Sequence, residues 1–164
     1  MNRILVAIII AVMSWNVHAD DPPVMVPIKR LTLDYAVRAA QATITACREQ
    51  GMNITVAIVD RGGHVQVALR DTLAMPLSLT IAEQKAYAAM NFNVPTSEMA
   101  NRFTSPFSVG KVQGIILSAG GLSITAGGSI LGAIGVSGAP SGQVDEECAQ
   151  AGIDAISDDL EMAE

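Results

Sequence analysis

The sequence predicts one α+β domain in which helices pack on a five-stranded antiparallel sheet. The chain has 164 residues, a length that suits a single domain. Half of the residues are hydrophobic and 16% are charged, which is typical of a folded core and not of a disordered chain. The periodic segments follow the order helix, two strands, two helices, three strands, helix. That order places the N- and C-terminal helices on the sheet and two further helices between strands 2 and 3.

Residues 1–19 have the features of a secretory signal peptide. Arg3 supplies the positive start, Ile4–Met13 forms an apolar run, and residues 17–19 approximate a small-x-small cleavage site. The run is too short for a membrane span, which takes about 20 residues, so an uncleaved anchor is the weaker interpretation. We therefore expect a periplasmic or secreted protein with no membrane span after cleavage.

The rest of the chain divides into a leader and a domain. Residues 20–30 contain three prolines and predict an extended leader, and residues 31–164 form the domain. The net charge of −6 and the scarcity of Lys/Arg clusters argue against a nucleic-acid binder. The excess of acids arises after Val144, where eight acidic residues and no basic ones lie, whereas residues 20–144 carry eight acids and nine bases. The charge therefore says little about a ligand site on the body.

The first helix and hairpin follow from simple periodicity. Thr32 is a plausible N-cap, apolar residues recur at three- and four-residue steps, and Gly51 ends the helix. Residues Ile54–Val59 are rich in β-formers, Asp60–Gly63 has turn chemistry, and His64–Arg70 alternates with period two. These segments predict a β-hairpin.

Three further helices are predicted. Leu77–Asn91 is rich in helix-forming residues, and Asn93–Pro95 breaks it before a short helix at Thr96–Phe103. The last helix spans Gln143–Leu160 and begins with acidic residues, which the helix dipole favours at that end.

The remaining three strands are short apolar runs between glycines. They are Ile115–Leu117, Leu122–Thr125 and Ile130–Val136, and glycine pairs at residues 120–121 and 127–128 supply the tight reversals.

The two cysteines predict a disulfide. Cys47 lies near the end of the first helix and Cys148 near the start of the last, so antiparallel packing of these helices would bring the thiols together. Export to an oxidising compartment favours the bond, and two buried free thiols are the alternative. Two thiols and one mature histidine fall short of a four-ligand structural zinc site.

Few residues are candidates for chemistry. His64 follows a Gly-Gly turn, where an imidazole can act as a ligand or an acid-base group, with a structural role as the alternative. Four cations could instead converge on carboxylates of a ligand: Arg70, Lys85, Arg102 and Lys111. The alternative for them is solvated surface or pairing with Asp60, Asp71, Glu83 and Glu98.

Several segments together resemble the GlcG/HbpS family, over about residues 31–160. The similarity lies in Asp60–His64, Arg70, Ala82–Ala86, Asn93–Glu98, Gly120–Gly121, Gly132–Gly142 and Asp145–Glu146. The resemblance implies an α+β domain and a homo-oligomer built from dimers, in some members an octamer. It also implies haem as the cofactor, because exported members similar to this chain bind haem and some are linked to its degradation or to redox sensing. Other members are fused to corrinoid adenosyltransferases or occur in glycolate-utilisation operons.

The resemblance and the chemistry suggest different iron ligands. The family points to a threonine, which corresponds to Thr96, whereas His64 is chemically the better ligand for haem iron. We therefore expect an exported protein that binds haem or a related tetrapyrrole, with the four cations on the propionates. Two alternatives stay open. One is an enzyme of small organic acid metabolism that uses His64 as acid-base and Arg70 as carboxylate clamp, and the other is a non-catalytic oligomeric module.

Overall fold

The structure, a computed structural model, describes residues 22–163 of the chain. These residues contain four α-helices and four strands. In chain order they are α1 (Leu33–Glu49), β1 (Thr55–Asp60), β2 (Val65–Arg70), α2 (Leu77–Phe92), α3 (Thr96–Met99), β3 (Gly121–Ala126), β4 (Ser129–Ser137) and α4 (Gly142–Met162). A short 3₁₀ helix, Val109–Lys111, precedes β3. The predicted signal peptide, residues 1–19, lies outside the described residues.

The strands form one antiparallel sheet in the order β2-β1-β4-β3. Strand β1 is buried along its whole length because β2 and β4 flank it and helices cover both of its faces. Its register with β4 sets Ile58 opposite Ile134 and Val56 opposite Val136. Apolar side chains from neighbouring strands therefore meet on one face of the sheet and form its central packing layer.

The helices cover the sheet unequally. Helices α1 and α4 pack against each other over the face that carries Ile58 and Ile134, where the larger core cluster lies. Helix α2 lies on the opposite face, chiefly over β4 and β1. Gly135 permits this approach, because a Cβ there would collide with the backbone oxygen of Ala82. A bulkier residue at position 135 would push α2 off the sheet.

The predicted α+β class and antiparallel sheet are confirmed, as is the hairpin at β1 and β2. The count of five strands is wrong, because the sheet has four strands in the described part of the chain. The segment Ile115–Leu117 is irregular and half-buried, between Gly114 and Gly120, which both have positive φ. Leu117 instead packs beside Gly110 in the preceding 3₁₀ helix. Its apolar character reflects loop packing and not strand pairing.

The end of α3 and a disulfide between α1 and α4 complete the description of the helices. Helix α3 ends at Met99, short of the predicted Phe103. Cys47 and Cys148 form a disulfide that joins α1 to α4, and both residues are fully buried. Among the described helices, none combines the length and the apolar character that crossing a membrane requires.

Candidate functional site

The turn between β1 and β2 holds His64 in a fixed position. Asp60 stabilises this turn through both its backbone and its side chain. Its backbone oxygen accepts a hydrogen bond from the N–H of Gly63 (2.9 Å), and its side chain accepts two more from backbone N–H groups. Oδ1 of Asp60 accepts from the N–H of Gly62 at 2.8 Å and from that of His64 at 3.0 Å. Gly63 has φ of 81°, a conformation that a glycine adopts without strain. The segment Asp60–His64 is called the His64 turn below.

The imidazole of His64 is exposed on this rigid support. Its side chain is 83% exposed, and Nδ1 lies 3.5 Å from Oδ1 of Asp60. Nε2 is therefore the ring nitrogen directed away from the carboxylate. Histidine metal ligands usually have a carboxylate or carbonyl at the second ring nitrogen, and Asp60 lies on that side of His64 at a distance longer than an ordinary hydrogen bond.

Asp60 also links the His64 turn to the leader. Its Oδ2 lies 3.0 Å from a guanidinium nitrogen of Arg30. Burial acts to raise the pKa of Asp60, but the backbone N–H groups of His64 and Gly62 and the charge of Arg30 outweigh it, so the pKa lies below its ordinary value. The carboxylate is thus ionised at neutral pH, between an arginine and the imidazole.

A groove of about 510 Å³ lies beside the turn. It is called the leader groove here, and it is lined by residues 26–30 of the leader, Arg61 and Gly62 of the His64 turn, and residues 128–130. Three of the lining residues, Lys29, Arg30 and Arg61, are cations, and Val26, Ile28 and Ile130 are apolar. The groove therefore combines positive charge with apolar surface.

Thr96 lies in a closed polar network at the start of α3. It is fully buried, and its Oγ1 accepts a hydrogen bond from the N–H of Gly121 at 2.8 Å. The hydroxyl also lies 3.3 Å from Oε1 of Glu146, as donor. The same carboxylate oxygen accepts from the N–H groups of Ser97 at 2.9 Å and Gly120 at 3.2 Å. These bonds tie α3, β3 and α4 together and leave the Thr96 hydroxyl enclosed.

Lys85 belongs to a buried ion pair next to that network. Its Nζ donates to Oδ2 of Asp145 at 2.8 Å and to the backbone oxygen of Val136 at 2.9 Å, and the side chain is 4% exposed. Burial raises the pKa of Asp145, and the Lys85 ammonium opposes that effect. Gly120 makes room for the ammonium, since a Cβ there would collide with Nζ. Lys85 therefore pairs with Asp145, a partner that the sequence did not suggest.

The structure does not bring the other predicted cations to His64. Arg70 stands at the far end of β2, about 20 Å along the strand, and donates to the backbone oxygen of Ala74. It lines a separate cavity of about 560 Å³ that also contains the Arg48–Asp71 ion pair. His64 and Arg70 therefore share no pocket, which removes the geometric basis for the small-acid enzyme hypothesis.

Arg102 and Lys111 are exposed in the segment between α3 and β3, so neither is directed into a described cavity. The cations that line the groove beside the His64 turn are Lys29, Arg30 and Arg61, which the sequence interpretation missed. Arg61 could have been found, because it occupies the predicted turn three residues before His64. The pairing of Arg30 with Asp60 joins residues far apart in sequence, and no local pattern signals it.

Within residues 22–163, no group of three or more His, Cys, Asp or Glu residues is placed to hold a metal ion.

Comparison with known proteins identifies the family. The family described as haem degrading protein HbpS-like matches residues 31–154 of the chain. The chain belongs to the HbpS-like family. This match covers every helix and strand except the end of α4.

Solved structures of similar proteins agree with the HbpS-like fold. A double mutant of Streptomyces reticuli HbpS is 38% identical, with a TM-score of 0.78 over 84% of this chain and 94% of that one. A structure described as a PduOC:heme complex is 26% identical, with a TM-score of 0.69 over 77% of this chain and 95% of that one. An uncharacterized 15.0 kDa protein of Citrobacter freundii is 29% identical over 80% of this chain and 95% of its own length. This HbpS-like chain is thus similar to a protein solved with haem.

Proposed function

We propose that this HbpS-like protein binds haem, with Nε2 of His64 as an iron ligand. The observation that carries the proposal is the exposed imidazole whose Nδ1 faces the Asp60 carboxylate. Imidazole is the commonest protein ligand of haem iron, and a carboxylate behind it strengthens the bond. A similar protein has been solved as a heme complex, which supports haem as the bound molecule.

We assign the rest of the haem molecule to the leader groove, which Arg61 and Gly62 of the His64 turn line although His64 itself does not. Haem carries two anionic propionates on an otherwise apolar ring, and the groove sets Lys29, Arg30 and Arg61 beside apolar side chains. Its volume of about 510 Å³ lies within the range of small-molecule sites. We assign one propionate to Arg61, because Arg30 is held by Asp60.

His64 is preferred to Thr96 as the iron ligand. The family resemblance suggests Thr96, but its hydroxyl is fully buried and bonded to Gly121 and Glu146. Iron could reach that oxygen only if α3 moved away from β3 and α4. His64 needs no such movement, because its side chain is 83% exposed.

A haemin titration followed by absorbance tests the assignment. We expect wild type to bind haemin with a saturable Soret shift, and His64→Ala to lose that shift while it stays folded by circular dichroism. Gln113→Ala, an exposed polar residue outside the groove, is the matched control and should bind as wild type does. The assignment to His64 fails if His64→Ala keeps the wild-type spectrum. Haem binding itself fails if wild type shows no saturable shift.

Export of the protein is the second part of the proposal. The predicted signal peptide motivates it, and the Cys47–Cys148 disulfide supports it because such bonds persist in oxidising compartments. We expect the exported fraction of an expressing cell to contain a chain that begins at Asp20 and resists thiol alkylation. Mass spectrometry of that fraction tests both points, and an uncleaved chain with two reactive thiols would contradict them.

Self-association is the third part. Leu73 and Met75, between β2 and α2, and Leu77, the first residue of α2, are 80%, 63% and 66% exposed. Such a run of exposed apolar side chains is typical of a protein–protein contact. We expect a homo-oligomer by light scattering, and Leu73→Asp to dissociate it. Leu33→Asp on α1, where the leucine is 57% exposed, is the control, and a wild-type monomer would exclude this part of the proposal.

A further inference from the structure

A second cavity lies close to the leader groove but has a different character. It has a volume of about 310 Å³ and lies between the start of α1, the end of α4 and the β3–β4 hairpin. Five of its lining side chains are Leu31, Tyr35, Ala126, Leu131 and Leu160. It is called the apolar pocket here.

The inner part of the apolar pocket is well formed. Leu31 and Leu131 are 6% and 5% exposed, so they belong to the packed core and give the pocket a fixed floor. Tyr35 and Leu160 pack against the same core from α1 and α4. Two helices, the sheet and residues 29–32 before α1 thus line a pocket that is already formed, which favours binding of a ligand without rearrangement.

The charged residues at its mouth leave one lysine available. Asp159 is paired with Arg38 of α1, and Arg30 is paired with Asp60. Lys29 also lies at the mouth and forms no ion pair with any residue that the structure describes. The mouth therefore presents a cation next to an apolar interior.

We propose that the apolar pocket binds an aliphatic monocarboxylate, with the hydrocarbon chain against Leu31, Leu131 and Leu160 and the carboxylate on Lys29. The apolar interior selects a hydrocarbon because burial of its surface is favourable and no polar partner is needed. The lysine selects an anionic head group, since a charge-assisted hydrogen bond is stronger than a neutral one. The small volume favours one chain over a macrocycle, so this site is separate from the proposed haem site.

Isothermal titration with decanoate tests the proposal, with decanol as the uncharged counterpart. We expect wild type to bind one decanoate per chain and to bind decanol about tenfold more weakly. Ala126→Phe should fill the pocket and abolish decanoate binding, whereas Ala100→Phe, at an exposed alanine after α3, should not. Leu160→Phe is a second filling variant in case Ala126→Phe does not fold.

Lys29→Ala tests the head group. It should remove the preference for decanoate over decanol, whereas Lys111→Ala should retain it. The proposal is overturned if wild type does not bind decanoate, if decanol binds equally well, or if both filled variants bind as wild type does.

The same variants separate this site from the haem site. Ala126 lines the apolar pocket and not the leader groove, so Ala126→Phe should leave the haemin titration unchanged. Decanoate should also bind in the presence of saturating haemin. Loss of decanoate binding when haemin is added would contradict the proposal that the two ligands bind at separate sites. A failed haemin titration alone would leave the decanoate result intact.

Discussion

Two regions of this HbpS-like protein each place an aspartate against a cationic or basic side chain, and they differ in exposure. In the closed region, Lys85 and Asp145 are 4% and 5% exposed, next to the Thr96–Glu146 network. In the open region, His64 is 83% exposed while Asp60 is 10% exposed. The comparison teaches that burial of the basic partner decides its role. A buried partner holds elements together, whereas an exposed one is available to a ligand.

Removal of one partner from the closed region should cause the largest loss of stability. Lys85→Ala leaves the Asp145 carboxylate buried without its ammonium, which should cost about 3–5 kcal/mol of unfolding free energy. Urea denaturation measures the loss. The double variant Lys85→Met, Asp145→Leu is the control and should recover most of the stability, because no charge is left buried. Equal losses in both variants would show that shape and not charge is the cause.

The disulfide should rank next, because it joins α1 to α4 three residues after Asp145. Cys47→Ser with Cys148→Ser should lower the unfolding free energy by about 2–4 kcal/mol, since the bond closes a long loop with a sequence separation of 101. Thermal denaturation with and without reductant measures it. A melting temperature that neither reductant nor the double variant changes would contradict this ranking. The haemin titration of the variant should match wild type, because neither cysteine belongs to the His64 turn or lines the leader groove.

Thr96 should affect stability and not haem binding. Thr96→Val removes the acceptor for the N–H of Gly121, and an unsatisfied buried N–H costs about 1–3 kcal/mol. The urea concentration at the midpoint of unfolding should therefore fall, whereas the affinity for haemin should not change. A Thr96→Val protein that is stable but has lost haem binding would indicate that Thr96, and not His64, is the iron ligand.

Asp60 is the matching test in the open region. Asp60→Asn keeps an oxygen that can accept from Gly62 and His64 but removes the charge behind the imidazole. We expect haemin affinity to fall by about 10-fold to 100-fold, as is usual for the loss of a carboxylate behind a histidine ligand. Competition for haemin with apomyoglobin measures it. An affinity equal to wild type would show that the carboxylate does not assist His64.

The Arg48–Asp71 ion pair joins an exposed side chain to a buried one. Its removal should cause the smallest loss of stability in this series, and that loss should depend on pH. The hydrogen bond from Arg48 lowers the pKa of Asp71 to about 2, although burial acts against it. A folded pKa below the unfolded one stabilises the protein above the unfolded pKa, and that contribution is lost as the pH falls towards 2. The stability difference between wild type and Asp71→Asn should therefore be constant above about pH 5 and shrink below pH 4. A difference that does not change with pH would show that the pair is not electrostatic.

Local patterns predicted most of the fold and little of the site. Helix α1 and the β1–β2 hairpin follow from apolar spacing and from turn residues such as Asp60–Gly63, all within short windows of sequence. The segment Ile115–Leu117 misled the strand count because three apolar residues between glycines suit a strand and a packed loop equally well. Periodicity cannot separate the two without knowledge of what lies next to them.

The roles of charged residues depend on contacts that sequence distance hides. Lys85 looked like a candidate for a ligand carboxylate, yet its partner Asp145 lies 60 residues away. Arg30 and Asp60 meet only because the leader passes the end of β1. The Cys47–Cys148 pair could be foreseen because its two thiols are the only ones in the chain, so no choice of partner had to be made.

The disulfide also divides the polypeptide into a covalent ring and two tails. The ring runs from Cys47 to Cys148 and contains all four strands of the described sheet and the His64 turn. Lys29 and Arg30 lie outside it, in the N-terminal tail. A single proteolytic cut before α1 would therefore release these two cations from the groove and leave the ring, with His64, intact. Arg61 lies inside the ring and would be the one cation left of the three that line the groove, so the cut would lower the positive charge of the groove irreversibly while the scaffold persists.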